Sequence, residues 1–241
     1  MKNLNDYIVD QFIRRVLTEE FDVRGDNCLD IGCGIQPYRK YYEKRFSWLV
    51  SIDIEKRSPL LSVISDASVL PFRDESFDFV LCSEVIEHLR RPDLSISEIA
   101  RVLRPNGYAV ITWPFNYSLH EIPNDYWRIT EFAMQAWLHE HGLNVKLFFR
   151  RGGVFAVVHL IIAQYLENAI EALARIRFVG LLLTPIRVLA LQLLEALSWL
   201  HFRLILSFGQ GISRAGCGLS GPIGSLRLWT LGYCLLIQKA K

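Results

Sequence analysis

Hydrophobic residues follow two patterns along the chain, and together they predict an alternation of strands and helices. Short apolar runs predict seven strands, at 28–31, 48–52, 61–65, 77–82, 108–113, 145–149 and 226–237. Helical spacing predicts a lead-in helix built on Ile8, Phe12, Val16 and Leu17, and further helices at 37–45, 92–103 and 130–141. Strands that alternate with helices favour an α/β fold with a doubly wound, mostly parallel seven-stranded sheet.

Turn and cap residues mark several of these boundaries. Residues 104–107 (Arg-Pro-Asn-Gly) predict a stop and a turn after the helix at 92–103. Thr130 is predicted to cap the next helix and Gly142 to end it. The chain is then divided into a core at 1–150, a hydrophobic insertion at 151–224 and the last core strand at 225–241.

The insertion is rich in apolar residues from Gly153 to Phe208, and it predicts two amphipathic helices with broad apolar faces. Its most apolar run, 178–194, contains Pro185 and Arg187 and is shorter than the roughly 20 residues that a membrane-spanning helix needs. A true membrane span is therefore the less favoured interpretation. The glycine-rich stretch 209–224 predicts a return loop, and no lysine follows it as a phosphate cradle would require.

Two interpretations of this insertion remain open. The helices of 154–208 could lie in a membrane interface, with four arginines near lipid phosphates: Arg175, Arg177, Arg187 and Arg203. They could instead cover the active site as a cap or pair in a homodimer. The first interpretation favours a lipid-linked acceptor and a cytoplasmic protein held at the inner face of the membrane.

Composition narrows the function classes. A net charge of +2 over 241 residues gives no support for a nucleic-acid partner. The five cysteines are odd in number and none stands in a Cys-x-x-Cys pair, so no metal site and no disulfide framework are predicted. The first 17 residues lack the apolar core of a signal peptide, which predicts a cytoplasmic catalytic domain.

The stretch 28–37 (Cys-Leu-Asp-Ile-Gly-Cys-Gly-Ile-Gln-Pro) predicts a buried strand that runs into a Gly-x-Gly turn and a helix. Glycines let the chain turn sharply and let a ligand lie against bare backbone. Asp53 ends the next strand about 20 residues later, where a carboxylate can accept hydrogen bonds from both hydroxyls of a ribose. The pattern therefore predicts a nucleoside-containing ligand.

Two residues distinguish between ligands. Pro37 stands where a dinucleotide site would have its third glycine, and Asp30 would repel a pyrophosphate but suits a cationic amino-acid group. A methyl donor with an amino group and a sulfonium fits these residues better. One alternative is a nicotinamide-dependent oxidoreductase. The other is a tight turn that has a structural role and binds no ligand.

Residues 30–34 (Asp-Ile-Gly-Cys-Gly) resemble the first motif of class I S-adenosylmethionine-dependent methyltransferases. Four later stretches are also similar to that family: 66–72, 76–80, 83–88 and 98–107. The resemblance implies a Rossmann-like methyltransferase fold with S-adenosylmethionine as the cofactor. It implies ten cofactor-binding residues: Asp30, Gly32, Cys33, Gly34, Asp53, Ile54, Asp66, Ala67, Ser83 and Glu84. Gln36 and Asn106 replace common glycines of the family.

The segment after the fifth strand, 114–130, is similar to one in type 11-like methyltransferases of bacterial glycan and secondary-metabolite pathways. A hydroxyl acceptor must lose a proton, and histidine titrates near neutrality. The hypothesis is that His120 is the general base, with His88 as the second candidate. Arg128 or Tyr126 would orient a polar or anionic acceptor.

Other interpretations of this segment stay open. It could be a structural lid whose aromatic residues cover the cofactor, with Asp125 and Arg128 forming a salt bridge at the entry of a helix. Residues 82–84 (Cys-Ser-Glu) stand where an amino-group methyltransferase would have an Asp-Pro-Pro-Tyr type motif, which favours oxygen or carbon acceptors. The predicted reaction is methyl transfer to a small-molecule, glycan or lipid-linked acceptor. A non-catalytic S-adenosylmethionine-binding protein is a further alternative.

Overall fold

The computed structural model describes residues 4–20, 25–174, 189, 193, 213–214 and 230–240. Eight strands form one sheet: β1 (Gly25–Ile31), β2 (Phe46–Asp53), β3 (Val63–Ile64), β4 (Phe77–Ser83), β5 (Leu103–Pro114), β6 (Leu143–Arg151), β7 (Ser213–Arg214) and β8 (Gly232–Lys239). Five α-helices accompany them: α1 (Leu4–Arg15), α2 (Arg39–Tyr42), α3 (Pro92–Val102), α4 (Glu131–Glu140) and α5 (Val154–Ala174). A π-helical turn extends α1 over Val16–Glu20, and a 3-10 turn spans Ile86–His88.

The strand order is β3-β2-β1-β4-β5-β8-β6-β7. Strands β1 to β5 pair in parallel, whereas β8 runs antiparallel to both β5 and β6. The predicted α/β fold class is confirmed, and the seven predicted strands correspond to all of these except β7. Because the first five strands run in the same direction, the loops at their carboxyl ends meet at one edge of the sheet.

Apolar side chains cover both faces of the sheet. One core contains Ile31, Ile99 and Trp113 and packs under α3 and α4. The other joins Phe12 and Val16 of the lead-in helix to Phe79 of β4. Ile8 and Leu17 are buried as well, so the amphipathic lead-in helix is confirmed. Helices on both faces make the sheet doubly wound.

Several boundaries differ from the predictions. The helix predicted at 37–45 is reduced to α2, because its first residues form turns at the glycine motif. The predicted turn at 104–107 lies inside β5, where the pairing with β4 shifts register between Phe77 and Phe79. Thr130 caps α4 as predicted, since its hydroxyl accepts a hydrogen bond from the amide of Ala133 at 3.2 Å. Gly142 follows α4 with a φ of +66°, a conformation that glycine adopts without strain.

The predicted hydrophobic insertion begins with α5, a helix of 21 residues. The second predicted helix and the return loop at 209–224 lie outside the described residues, apart from Leu189, Leu193 and the short strand β7. Within the part of the chain that the structure describes, no helix is both long enough and apolar enough to cross a membrane. The four described cysteines, Cys28, Cys33, Cys82 and Cys234, are buried and form no disulfide.

Candidate active site

The glycine turn follows β1 and adopts a backbone that few other residues tolerate. Gly32 has a φ of +62° and Gly34 a φ of +51°, both in the left-handed region. A Cβ atom on Gly32 would lie 2.3 Å from Cγ2 of Val85, which no real contact permits. A Cβ on Gly34 would meet no atom within 4 Å. Gly32 is therefore required both by conformation and by the close approach of Val85.

Asp53, at the end of β2, is bonded to the glycine turn. Its Oδ2 accepts a hydrogen bond from the amide of Gly34 at 2.8 Å, and its Oδ1 accepts one from the amide of Glu55 at 3.1 Å. The amide of Cys33 donates to the carbonyl of Ile52 at 3.0 Å, which ties the turn to β2 a second time. The structure thus brings the predicted carboxylate and the predicted glycines together at one place. The role of Asp53 towards a ribose stays a prediction.

Asp30 lies at the base of the same turn and is almost completely buried. The phenol of Tyr42 donates to its Oδ2 at 2.5 Å. Burial raises the pKa of Asp30 to about 7, although the hydrogen bond from Tyr42 and the charge of Arg39 act in the opposite direction. A buried carboxyl with this pKa would be stabilised in its ionised form by a cationic ligand group, which is what the predicted contact with an amino-acid tail requires.

The predicted adenine-side residues follow β2 and β3. Ile54 is exposed, and Ala67 is buried. Asp66 accepts a hydrogen bond from the amide of Ser68 at 2.7 Å through Oδ1. The segment after it is held by Glu98 of α3, which accepts from the amide of Leu70 at 2.7 Å. These residues lie at the same carboxyl edge as the glycine turn, as the resemblance implies.

Ser83 and Glu84, at the end of β4, contact protein groups. The hydroxyl of Thr112 donates to Glu84 Oε1 at 2.8 Å and lies 2.9 Å from the hydroxyl of Ser83. Arg151 donates to Glu84 Oε2 at 3.1 Å and is itself fully buried. Arg151 was not predicted, because it lies 67 positions away in the sequence. These contacts favour a structural role for Glu84, and its contact with the cofactor stays a prediction.

The two residues that replace family glycines adopt glycine-like backbones. Gln36 has a φ of 59° and Asn106 a φ of 64°. The side chain of Gln36 is buried and donates to the hydroxyl of Ser51 at 3.1 Å, which offsets part of the conformational cost. The glycine replacements therefore preserve the path of the backbone.

Glu87, His88 and His120 form a cluster next to the glycine turn, hereafter the Glu-His-His cluster. Glu87 is fully buried, and its Oε1 lies 3.6 Å from Nε2 of His88 and 3.8 Å from Nε2 of His120. The two imidazole rings stand edge to face with their centroids 4.8 Å apart. Interaction with Glu87 raises the pKa of His120, and burial raises the pKa of Glu87. The structure thus brings together the two histidines that the sequence analysis selected.

The other nitrogen of each imidazole is held by the segment 114–130. Nδ1 of His88 lies 2.8 Å from the carbonyl oxygen of Asn124, and Nδ1 of His120 lies 3.2 Å from the carbonyl oxygen of Ser118. A carbonyl only accepts, so both Nδ1 atoms donate. In the neutral rings, Nε2 then carries a lone pair that faces Glu87. The segment itself is tied to the cluster, since the amides of Tyr126 and Trp127 donate to the carbonyl of Glu87.

Arg128 and Tyr126 both contact groups of their own segment. Arg128 forms a bidentate pair with Asp125, at 2.6 and 2.8 Å, and also donates to the carbonyls of Tyr117 and Ser118. The phenol of Tyr126 donates to Asn124 Oδ1 at 3.0 Å. The pair of Asp125 and Arg128 is the helix-entry salt bridge of the lid interpretation. It also lowers the pKa of Asp125 to about 2.

Sequence reasoning did not assign Glu87, although it lies in the stretch 83–88. The signal available was a carboxylate next to His88 directly after a buried strand. Its importance depends on burial and on the approach of His120, 33 positions later in the chain, and neither is encoded in local spacing.

Comparison with known proteins agrees with this geometry. Residues 29–111 match the family described as "Methyltransferase domain". A fatty-acid O-methyltransferase of Mycolicibacterium smegmatis is 33% identical over 104 residues, which cover 38% of this chain and 38% of the relative. The first curated relatives are matched over less than two thirds of their own length, between 20% and 58%.

Solved structures show the same fold. Phosphoethanolamine N-methyltransferase 2 of Haemonchus contortus, in complex with S-adenosylmethionine, is similar with a TM-score of 0.55 and 16% identity, covering 97% of this chain and 52% of that one. The [4+2]-cyclase SpnF is similar with a TM-score of 0.57 and 15% identity, covering 96% of this chain and 82% of that one. Residues 29–111 therefore match a methyltransferase domain family, and the fold is the one seen in a solved methyltransferase that binds S-adenosylmethionine.

Proposed function

We propose that the chain transfers a methyl group from S-adenosylmethionine to an oxygen atom of a small-molecule or lipid-linked acceptor. The observation that carries this proposal is the position of the Glu-His-His cluster. Glu87 lies two residues after Val85, whose side chain packs against the glycine turn. This packing supports a location of proton-accepting groups beside the predicted donor site, at the edge of the sheet where ligands of this fold bind.

The chemistry of methyl transfer explains why such a cluster would be useful. The acceptor oxygen attacks the methyl carbon in line, the bond from carbon to sulfur breaks, and its electron pair stays on sulfur. The sulfonium is already a good electrophile, so positioning supplies much of the catalysis. A hydroxyl must also lose its proton, and the imidazoles and carboxylate of the cluster can accept it.

The contacts within the segment 114–130, hereafter the acceptor segment, change the role proposed for Arg128 and leave that of Tyr126 as it was. All three guanidinium nitrogens of Arg128 donate to groups of its own loop. We therefore assign Arg128 the role of a positioning residue, which holds Asp125 and through it His120. Tyr126 stays a candidate for acceptor contact, because its ring is partly exposed at the rim of the cluster.

Exposed apolar residues around the cluster favour an acceptor with an apolar part. Leu119, Ile122 and Trp127 of the acceptor segment have exposed side chains, and Ile54 is exposed on the cofactor side. Helix α5 contacts this segment, since the side chain of Gln164 donates to the hydroxyl of Ser118 at 2.8 Å. The name of the relative that acts on fatty acids at oxygen supports the same kind of acceptor.

Transfer of a labelled methyl group tests this function. We would incubate the protein with S-adenosylmethionine carrying a labelled methyl, together with separate water-soluble and lipid fractions of a lysate, and identify the labelled product. The proposal predicts label in an ether or an ester. Label on nitrogen or carbon would contradict the oxygen acceptor, and the absence of label in every fraction would contradict methyl transfer.

A further inference from the structure

The buried carboxylate of the Glu-His-His cluster has no permanently charged partner among the described residues. Arg151 pairs with Glu84 and Arg128 pairs with Asp125, so both nearby guanidinium groups already have carboxylate partners. Glu87 is fully buried, and among the described residues no donor lies within hydrogen-bonding distance of either of its oxygens. A buried, unpartnered carboxylate is strongly destabilising unless a cation or a proton compensates it.

The two imidazole nitrogens that face this carboxylate are atoms of a kind that binds metal ions, and both point toward it. Nε2 of His88 and Nε2 of His120 approach Glu87 Oε1 at 3.6 and 3.8 Å, and all three ligand atoms lie within 4.8 Å of one another. Ligands at about 2.0–2.2 Å from a tetrahedral or octahedral ion stand roughly 3–3.5 Å apart. The two separations from Glu87 therefore need only a small closure to bind one ion, and the two imidazole nitrogens must approach each other further.

The surroundings of the two imidazoles match the support that metal-binding histidines usually have. Such a histidine donates its second N–H to a carbonyl or carboxylate, which fixes the tautomer and aims the other nitrogen at the ion. Nδ1 of His88 does so at Asn124, and Nδ1 of His120 lies 3.2 Å from both the carbonyl of Ser118 and Oδ2 of Asp125. Arg128 in turn fixes the carboxylate of Asp125.

We propose that Glu87, His88 and His120 bind one divalent transition-metal cation, through Oε1 of the carboxylate and Nε2 of each imidazole. Two nitrogen ligands favour ions such as Zn²⁺, Mn²⁺, Fe²⁺ or Co²⁺ over Mg²⁺ and Ca²⁺, which prefer oxygen. Three protein ligands leave coordination positions open for a substrate oxygen. The absence of Cys-x-x-Cys pairs predicted that the chain has no metal site. The site proposed here differs, because none of its ligands is a cysteine.

The catalytic role of the ion rests on the proposed function. A hydroxyl oxygen of the acceptor bound in an open position would release its proton to solvent more easily, because the cation stabilises the alkoxide. That oxygen then forms the bond to the methyl carbon as the bond from carbon to sulfur breaks. With the ion bound, His120 acts as a ligand, so water replaces the imidazole as the proton acceptor.

Metal binding is tested without any acceptor. Tag-free protein is freed of metal with a chelator, dialysed and titrated with CoCl2 while the visible d–d absorption of Co²⁺ is recorded. We expect saturation at one equivalent, loss of the absorption on addition of ZnCl2, and at least 10-fold weaker binding in Glu87→Gln and in His120→Ala. His139→Ala is the matched control, because His139 lies on α4 outside the cluster and should bind Co²⁺ as the wild type does.

Two further measurements separate this inference from the function it rests on. Asp125→Asn should weaken Co²⁺ binding by about 10- to 100-fold through His120 while binding of S-adenosylhomocysteine is unchanged. The site is overturned if the wild-type protein shows no stoichiometric cobalt spectrum. It is also overturned if Glu87→Gln and His120→Ala bind Co²⁺ as tightly as the wild type does. Stoichiometric cobalt binding without methyl transfer to any fraction would overturn the proposed function and leave the site standing. Full methyl transfer by the metal-free protein would overturn the catalytic role of the ion.

Discussion

The amide of Gly34 donates a hydrogen bond of 2.8 Å to the carboxylate of Asp53, which joins the turn after β1 to the end of β2. The same carboxylate is the predicted partner of a ribose. One residue thus shapes the turn and is also the predicted contact of the ligand's ribose. Changes at Asp53 should therefore affect cofactor binding more strongly than the loss of a surface charge would.

We expect Asp53→Asn to weaken the binding of S-adenosylhomocysteine by about 10- to 150-fold, because a hydrogen bond to a charged group is worth about 1.5–3 kcal/mol. Isothermal titration calorimetry measures the change. Glu55→Gln removes a neighbouring exposed carboxylate and is the matched control. Equal losses in the two variants would show that general electrostatic attraction, and no specific contact, is responsible.

The two glycines of the turn should respond differently to alanine. Gly32→Ala combines a left-handed backbone with a clash against Val85, whereas Gly34→Ala meets open space and bears only the conformational cost of about 1–2 kcal/mol. We expect a larger fall in the free energy of unfolding, measured by urea denaturation, for Gly32→Ala. Adding Val85→Ala should restore part of that loss, and a double variant no more stable than Gly32→Ala would argue against the clash.

Asp30 should make the ligand-free protein less stable as the pH rises. Its pKa is about 7 in the folded chain and near 3.9 when unfolded, so the folded state favours the protonated form. Stability is then lost between about pH 4 and pH 7, by about 4 kcal/mol at most. Asp30→Asn should raise the Tm relative to the wild type at pH 8 and leave it nearly unchanged at pH 4.

The same residue should have the opposite effect on ligand binding. A cationic amino group favours ionised Asp30, so the affinity for S-adenosylhomocysteine should rise as the pH increases through 7. In Asp30→Asn the affinity should be lower and this rise should be absent. A wild-type affinity that is constant from pH 6 to pH 8 would contradict the assigned contact.

Arg128 should control the order of the acceptor segment. Arg128→Ala removes the bidentate pair with Asp125 and two carbonyl contacts, so amide hydrogen exchange should become faster over 117–127. Arg91→Ala is the matched control, because Arg91 makes a bidentate pair with Asp93 on an exposed surface. Unchanged exchange in Arg128→Ala would show that other contacts hold the segment.

Local sequence patterns predicted most of the core. The strands from β1 to β6 were found because each is a short apolar run next to a glycine or a polar turn, and Thr130 and Gly142 marked α4 through their own chemistry. The helix after the glycine turn was predicted too long, because residues 37 and 38 lie in turns that continue from the glycine motif. The predicted turn at 104–107 became a register shift inside β5, since its pairing with β4 is a long-range property.

The site was predicted less completely for the same physical reason. The glycines and Asp53 share a motif whose spacing fixes their positions on consecutive strands. The pairing of Arg151 with Glu84 and the approach of His120 to Glu87 join residues far apart in sequence. Only the path of the segment 114–130 brings His120 to the cluster, and loop paths depend on many weak contacts that no periodic pattern encodes.

Calorimetric titration of the purified chain with S-adenosylhomocysteine, and separately with NAD, tests the central claim most directly. The account predicts saturable one-to-one heat with S-adenosylhomocysteine and none with NAD. Heat with NAD alone, or with neither compound, would contradict it.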